Sequence, residues 1–465
     1  MSAGPPRPLR RSVDAPPVRL AHLGLGAFHR SHQAWWTGAV GQGDPWGIAA
    51  FTGRGTGGGA GRAAALQAQD GLYTLLVRGP DADAAELVTA IARAADGADP
   101  AAFSGCLADP AVRVLTLTVT EAGYRQAAGG GLDRADPAVA ADLAALSGTS
   151  AGPPRTAPGR VVAGLRARRK ADAGPVALVP CDNLSGNGKV LRRVVMDLAA
   201  AADPRLAAWI AESVSFVSTA VDRITPRTTG EDVATAARLT GWADRAPVVT
   251  EPFREWVLAG DFPGGRPPWE EAGARFVDDV TPYERRKLWL LNGAHSILAY
   301  AGLPRGHRTI ADAWADDRCR SWVRDWWAEA TRHLPPSVAA TAAAYQGELA
   351  ERYGNPRIRH LLEQVAADGS QKLTMRAVPV LRRERAAGRR GTASLRMIAC
   401  WIVYVHAKQA DPPGLADPLA VTLLAARRPR DLLALLAPDL AEDGELTADL
   451  DALVAEHQPG PGGGR

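Results

Sequence analysis

Val18-Arg19-Leu20-Ala21-His22-Leu23-Gly24-Leu25-Gly26-Ala27-Phe28-His29-Arg30-Ser31-His32 is where order is expected to begin and where the fold is decided. An apolar run of strand character ends in Gly-Leu-Gly and passes straight into a helical pattern. Glycine at 24 permits a tight turn. Glycine at 26 lets a pyrophosphate approach the backbone, with the unpaired N–H groups of the following helix facing the phosphates. The third glycine usual in such a turn is absent, since His29 stands there. Dinucleotide contacts are therefore expected from Gly24, Gly26 and Phe28. His29 and His32, three apart, invite a metal, but no cysteine or acidic residue lies nearby at ligand spacing. No metal is expected, and the two rings are assigned phosphate-facing, pocket-lining or structural roles.

Outward from this turn, short strand candidates alternate with helical segments. GIAAF follows at about 47–51, LYTLLV at 72–77, VRVLTLTV near 112–119, VALVP at 176–180 and SVSFVSTAV near 213–221. Such alternation predicts a mainly parallel sheet covered on both faces, an α/β Rossmann-type domain over 18–280. From Thr281 onward apolar residues recur at three- and four-residue spacings, which predicts a mostly α-helical second domain over 281–455. A cleft between the two is the expected place for chemistry. Residues 1–17 and 456–465 are expected to be disordered tails. After the second strand comes Thr52-Gly53-Arg54, where an acidic residue would hold the adenosine ribose hydroxyls of NAD. Arg54 suits a 2′-phosphate instead, so NADP stays open beside NAD. Thr120, just past the 112–119 strand, is a further expected cofactor contact.

Composition narrows the function classes. The 465 residues carry 54 Lys+Arg against 50 Asp+Glu, a net charge of +4 that is too small and scattered for a nucleic-acid face. Four cysteines without CxxC spacing fit a reducing compartment. No apolar run reaches the roughly 18 residues of a membrane helix, and the first 17 residues lack a signal-peptide core. A cytoplasmic protein with a small-molecule partner, and with neither membrane nor nucleic acid, is expected.

The strongest chemical pattern is Glu284-Arg285-Arg286-Lys287-Leu288-Trp289-Leu290-Leu291-Asn292-Gly293-Ala294-His295. On one α-helix with Lys287 at zero, Glu284 falls near about 60°, His295 near about 80° and Asn292 near about 140°. All four share a sector. These are the groups of a metal-free hydride-transfer site. A buried lysine with a lowered pKa serves as base for an alcohol proton. Asn292 donates to the oxygen as alkoxide character develops, His295 orients that oxygen and Glu284 relays the proton. Asn183, in Pro180-Cys181-Asp182-Asn183 at a strand end, is a second donor. Asp222, in Val221-Asp222-Arg223-Ile224-Thr225-Pro226, is placed to accept from sugar hydroxyls.

With these residues in view, the chain resembles the mannitol dehydrogenase family of metal-independent polyol dehydrogenases and hexuronate reductases. The resemblance covers about 18–450 and rests on HLGLGAFHRSHQAWW, QDGLYTLL, LTVTEAGY, PCDNLSGNG, VDRITP, EPFREWVL, the long segment ending YERRKLWLLNGAHS, and NPRIRHLLEQVAADGSQK. It implies a catalytic Lys287, oxyanion-stabilising Asn183 and Asn292, an orienting His295, a relaying Glu284 and a substrate-binding Asp222. It also implies NAD as cofactor and a monomer. Mannitol-oxidising members place an arginine eight residues before a substrate-contacting lysine. That lysine matches Lys372, but Gln364 stands at the arginine position. EQVAADGSQKL looks more like the branch that reduces D-fructuronate to D-mannonate, whose substrate carboxylate would want a cation such as Lys372 or Arg376. Mannitol or D-arabinitol oxidation is the alternative within the family. A catalytically silent nucleotide-binding regulator is a remote one, since Lys287 and Asn292 are both present.

Overall fold

The computed structural model describes residues 5–41, 43–53, 59–97, 99–410 and 414–458. The chain divides into two compact units, Met1–Thr281 and Pro282–Arg465. The first is built on six strands, β1 (Val18–Leu23), β2 (Gly47–Phe51), β3 (Ile91–Ala95), β4 (Val114–Leu117), β5 (Val176–Pro180) and β6 (Val214–Phe216). They run parallel in the order β3-β2-β1-β4-β5-β6. This is the doubly wound Rossmann order, whose reversal between β1 and β4 opens a crevice at the carboxyl ends of the strands.

Alternate side chains explain why the strands read as nearly continuous apolar runs. Ala21, Leu23, Phe51, Leu115 and Leu178 pack on one face with Val161, Leu165, Leu191 and Val194. Leu20, Ile48, Ala50, Val114 and Val179 pack on the other with Trp36, Trp256 and Trp269. Parallel sheets buried on both faces have that character. Two strand candidates lie elsewhere than expected. Tyr73–Arg78 belongs to a separate three-stranded sheet, paired antiparallel with Asp83–Val88. The 213–221 run splits in two: Val214–Phe216 joins the main sheet, while Ser218–Asp222 pairs antiparallel with Glu255–Ala259.

The expected disordered tails need correction. Arg7–Pro8 pairs with Trp242–Ala243. Arg11 donates to the carbonyls of Asp70, Thr89 and Ile91 at 2.7, 2.6 and 2.8 Å, which binds the 5–17 stretch to the body. At the other end, the helix Gly444–His457 runs past the expected boundary at 456. Residues 1–4 and 459–465 lie outside the described residues.

The second unit is almost wholly helical, and no helix among the described residues is long and apolar enough to cross a membrane. Its helices are tied by a buried carboxylate. Glu384, on the helix Gly369–Ala386, accepts from Arg332 at 2.7 Å, Arg389 at 2.8 Å and the His333 ring at 2.5 Å. Burial pushes this carboxyl up, but Arg389, Arg332 and His333 outweigh it and bring it down to about 2 from an ordinary 4.5. A folded value below the unfolded one stabilises the fold above the unfolded pKa, and that contribution is lost as pH falls through the folded value. The melting temperature is therefore expected to drop steeply between about pH 4.5 and 2. Glu384→Gln, followed by circular dichroism, should melt lower at neutral pH and show a shallower drop across that window.

Candidate active site

At the nucleotide end, Gly24 has φ +115, and a Cβ there would lie 2.0 Å from the Thr118 carbonyl oxygen. Only glycine fits. The turn is pinned by Gly24 and Leu25 N–H groups donating to the Phe51 carbonyl, both at 2.9 Å, and by the Thr118 hydroxyl donating to the Gly24 carbonyl at 2.8 Å. Gly26 precedes the short helix Ala27–Ser31, where a Cβ would meet nothing nearer than 3.5 Å. Phe28 is half-buried, its ring 5.0 Å from that of His32. His29 and His32 are fully buried. His29 stacks on His22 at 3.3 Å, and His32 Nε2 lies 3.0 Å from the Glu255 carbonyl oxygen. Both rings are thus core elements, not phosphate ligands.

Arg54 lies outside the described residues, but the neighbouring strand end supplies an acid. Thr52 follows β2 and Asp96 follows β3. The Thr52 hydroxyl donates to Asp96 Oδ1 at 2.8 Å and accepts from Gly97 N–H at 2.7 Å. Gly97 is required there, because its Cβ would sit 1.8 Å from the Thr52 carbonyl oxygen. The half-buried Asp96 carboxylate therefore stands at the carboxyl edge of β2 and β3, one strand over from where an acidic residue was sought.

Thr120 is exposed and held at φ 68, a conformation that a β-branched residue adopts only under constraint. The constraint is Asp182, whose carboxylate accepts from Val119 N at 3.1 Å, Thr120 N at 2.7 Å and the Tyr124 hydroxyl at 2.7 Å. Burial pushes the Asp182 carboxyl up more than these donors pull it down. Asp182 thereby ties the strand end after β4 to that after β5, where Asn183 is exposed at the turn. Asn187 completes the brace, donating to the Asp182 and Thr219 carbonyls at 3.1 and 2.9 Å and accepting from Thr219 N at 2.9 Å. Asp222 is buried as the last residue of Ser218–Asp222.

In the second unit the Lys287 segment departs from the single α-helix expected. Thr281–Arg286 and Gly293–Gly302 are α-helical, but Lys287–Asn292 between them is a π-helix, with Gly293 N–H donating to Leu288 O. In an i→i+5 turn a residue sits over the fifth before it, not the fourth. Lys287 and Asn292, five apart, therefore share a face instead of standing about 140° apart as on an α-helix. Glu284, Lys287 and Asn292 are half-buried and His295 is buried. Burial, followed by the charges of His360, Arg352, Arg376 and Lys372, holds His295 well below its ordinary pKa, so it is neutral at neutral pH. Its Nε2 is buried without a hydrogen-bond partner among the described residues.

Lys372 and Arg376 act electrostatically on His295 but are anchored to the protein. Lys372 Nζ donates to the Val365 carbonyl at 3.0 Å. Arg376 Nη1 donates to the Asn292 carbonyl at 3.0 Å and the Ser296 hydroxyl at 2.8 Å.

Residues 18–271 match the model of the mannitol dehydrogenase Rossmann domain, and residues 279–451 that of the mannitol dehydrogenase C-terminal domain. The chain belongs to the mannitol dehydrogenase family. It is 35% identical to the D-mannonate oxidoreductase of Escherichia coli (strain K12) over 86% of this chain and 83% of that protein. It is 36% identical to a mannitol 2-dehydrogenase of Cereibacter sphaeroides over 83% and 80%. Among solved structures it is similar to a Pseudomonas fluorescens mannitol 2-dehydrogenase in ternary complex with NAD and D-mannitol, with TM-score 0.78, 31% identity, and coverage of 97% of this chain and 94% of that one. This family member is thus an oxidoreductase, and near-equal identity to a sugar-acid and a polyol enzyme leaves its substrate to the site itself. Asp96, Asp182, Asn187 and the π turn were not read from the sequence. Asp182 and Asn187 stood in the quoted PCDNLSGNG segment, where their polar character was the only signal.

Proposed function

We propose that this family member is a metal-independent, NAD-dependent oxidoreductase that interconverts an open-chain keto-uronate and its alcohol, D-fructuronate and D-mannonate. The observation that carries this reading is the group of cations around the neutral His295. Lys372, Arg376 and Arg352 all act on it electrostatically, which suits a substrate bearing a carboxylate. The first unit fits the cofactor: Gly24 allows the tight turn packed on Thr118, Gly26 leaves the space that a pyrophosphate needs, and the Asp96 carboxylate suits ribose hydroxyls while repelling a 2′-phosphate. Bound NADH supplies the hydride to the carbonyl carbon. The amides of Asn183 and Asn292 donate to the oxygen as it gains charge. Lys287 as ammonium gives that oxygen its proton, Glu284 reloads the lysine, His295 orients the oxygen, and Asp222 accepts from substrate hydroxyls.

A second reading, oxidation of a polyol such as D-mannitol or D-arabinitol, is favoured by the anchoring of Lys372 and Arg376 to backbone carbonyls, which leaves fewer donors for a carboxylate. Absorbance at 340 nm with NADH, offering D-fructuronate and D-fructose in parallel, separates the two. A kcat/KM at least tenfold higher for fructuronate, about 1.4 kcal/mol of transition-state preference, is expected; the reverse ratio establishes the polyol reading. Asp96 gives a second expectation. In Asp96→Asn the NADH dissociation constant, read by fluorescence titration, should rise about tenfold while that of NADPH changes little, for the loss of one charge-assisted bond to ribose. An unchanged NADH:NADPH ratio would remove Asp96 from cofactor choice.

A further inference from the structure

Four consecutive carbonyl oxygens of the segment carrying Lys287 and Asn292 accept hydrogen bonds from side chains. Trp326 Nε1 donates to Trp289 O at 2.7 Å and Trp327 Nε1 to Leu290 O at 2.9 Å. The Tyr353 hydroxyl donates to Leu291 O at 3.0 Å, and Arg376 Nη1 to Asn292 O at 3.0 Å. Helix carbonyls normally point along the axis to an N–H four residues on. In a π turn the ladder is offset, and carbonyls at its junction with the α-helix need other donors. Here those donors come from three other helices, Asp317–Thr331, Gly369–Ala386 and Ala342–Tyr353, the last contributing its final residue Tyr353.

Gly293 makes the approach possible, since a Cβ on it would lie 2.5 Å from Trp326 Nε1. Trp326, Trp327 and Tyr353 are buried, so water does not readily replace them. The π-helix is rare in proteins, and its single-turn form concentrates at functional sites. A segment that takes it here, under four outside donors, is held there by tertiary structure.

We propose that Trp326, Trp327, Tyr353 and Arg376 are positioning residues, whose donors hold Lys287–Asn292 in π geometry and so set Lys287 and Asn292 on one face. Arg376 then serves the reaction through the backbone of Asn292. The proposal rests on the roles proposed above for Lys287 and Asn292. Without the donors the segment relaxes toward i→i+4 bonding, which turns Lys287 away from Asn292 while leaving both in the chain.

The test is Tyr353→Phe, Trp326→Phe and their combination, each of which removes a donor and keeps an aromatic ring. Displacement of a catalytic group by about 1 Å costs on the order of 10²-fold in rate. The combined variant is expected to lose about that much in kcat, and each single variant about tenfold. NADH affinity should stay within about twofold, and the limb of the kcat–pH profile that reports Lys287 should move. A packing role alone would lower the melting temperature but leave the profile of the folded fraction in place. Should the combined variant not fold, Tyr353→Phe, which removes a single oxygen atom, decides.

A readout independent of turnover separates this proposal from the function itself. The chain has five lysines, Lys170, Lys189, Lys287, Lys372 and Lys408, so the Lys287 resonance in side-chain NMR is identified by its loss in Lys287→Arg. It is expected to titrate at a different pH in Tyr353→Phe than in the wild type. Unchanged titration together with an unchanged kcat–pH profile overturns the proposal. A wild type that reduces no keto sugar or keto acid overturns the proposed function, and the lysine titration alone then decides the positioning.

Discussion

Lys287→Ala is expected to lower kcat by about 10³-fold or more, within the range by which a positioned acid–base group accelerates proton transfer. NADH affinity should stay within about twofold, because the nucleotide features described above, from Gly24 to Asp96, belong to the first unit. Trp289, Leu290 and Leu291 of the segment are buried while Lys287 is half-buried, so alanine at 287 is expected to leave the packing intact. Lys287→Arg is expected to fail nearly as badly. A guanidinium keeps its proton across the working pH range and so has none to exchange with the substrate oxygen. Steady-state rates with fluorescence-measured NADH binding check both variants. Turnover within tenfold of wild type in Lys287→Ala would remove the lysine from the chemistry and revive the silent-regulator alternative.

Gly24→Ala should be strongly damaging to the first unit. The added Cβ meets the Thr118 carbonyl carbon at 2.7 Å as well as its oxygen at 2.0 Å, at φ +115. Backbone strain of about 1–3 kcal/mol adds to overpacking of about 1–3 kcal/mol. The sum, on the order of 4 kcal/mol, corresponds to roughly 10 °C in melting temperature for a unit of this size. Thermal denaturation followed by intrinsic fluorescence should show it, together with loss of NADH binding. Gly26→Ala makes the control, since its Cβ is in ordinary contact at 3.5 Å. That variant should melt within a degree or two of the wild type yet bind NADH more weakly, because the methyl occupies the cofactor's approach. Equal melting losses in both would show that the space at 26 is structural as well.

Local pattern carried much of this protein. The run from Val18 into Gly24-Leu25-Gly26 specified a strand, a turn and a helix, because burial periodicity and glycine's freedom act over a few residues. The change from alternating strands to helical spacing near Thr281 was legible for the same reason. The residues proposed for chemistry, Lys287, Asn292, His295 and Asn183, stood out because their types are unusual beside apolar neighbours. What tertiary structure alone decided involves partners far along the chain. Asp182 grips Val119 and Thr120 across 63 and 62 positions, and Thr52 meets Asp96 across 44, since neighbouring strands in a parallel sheet are separated by whole crossovers. The π turn is the clearest case. Its residues suit an α-helix equally well, and the donors that meet its carbonyls come from 37 to 84 positions away. A helix ladder that shifts by one residue costs little locally, so the choice falls to whichever long-range donors packing brings to it.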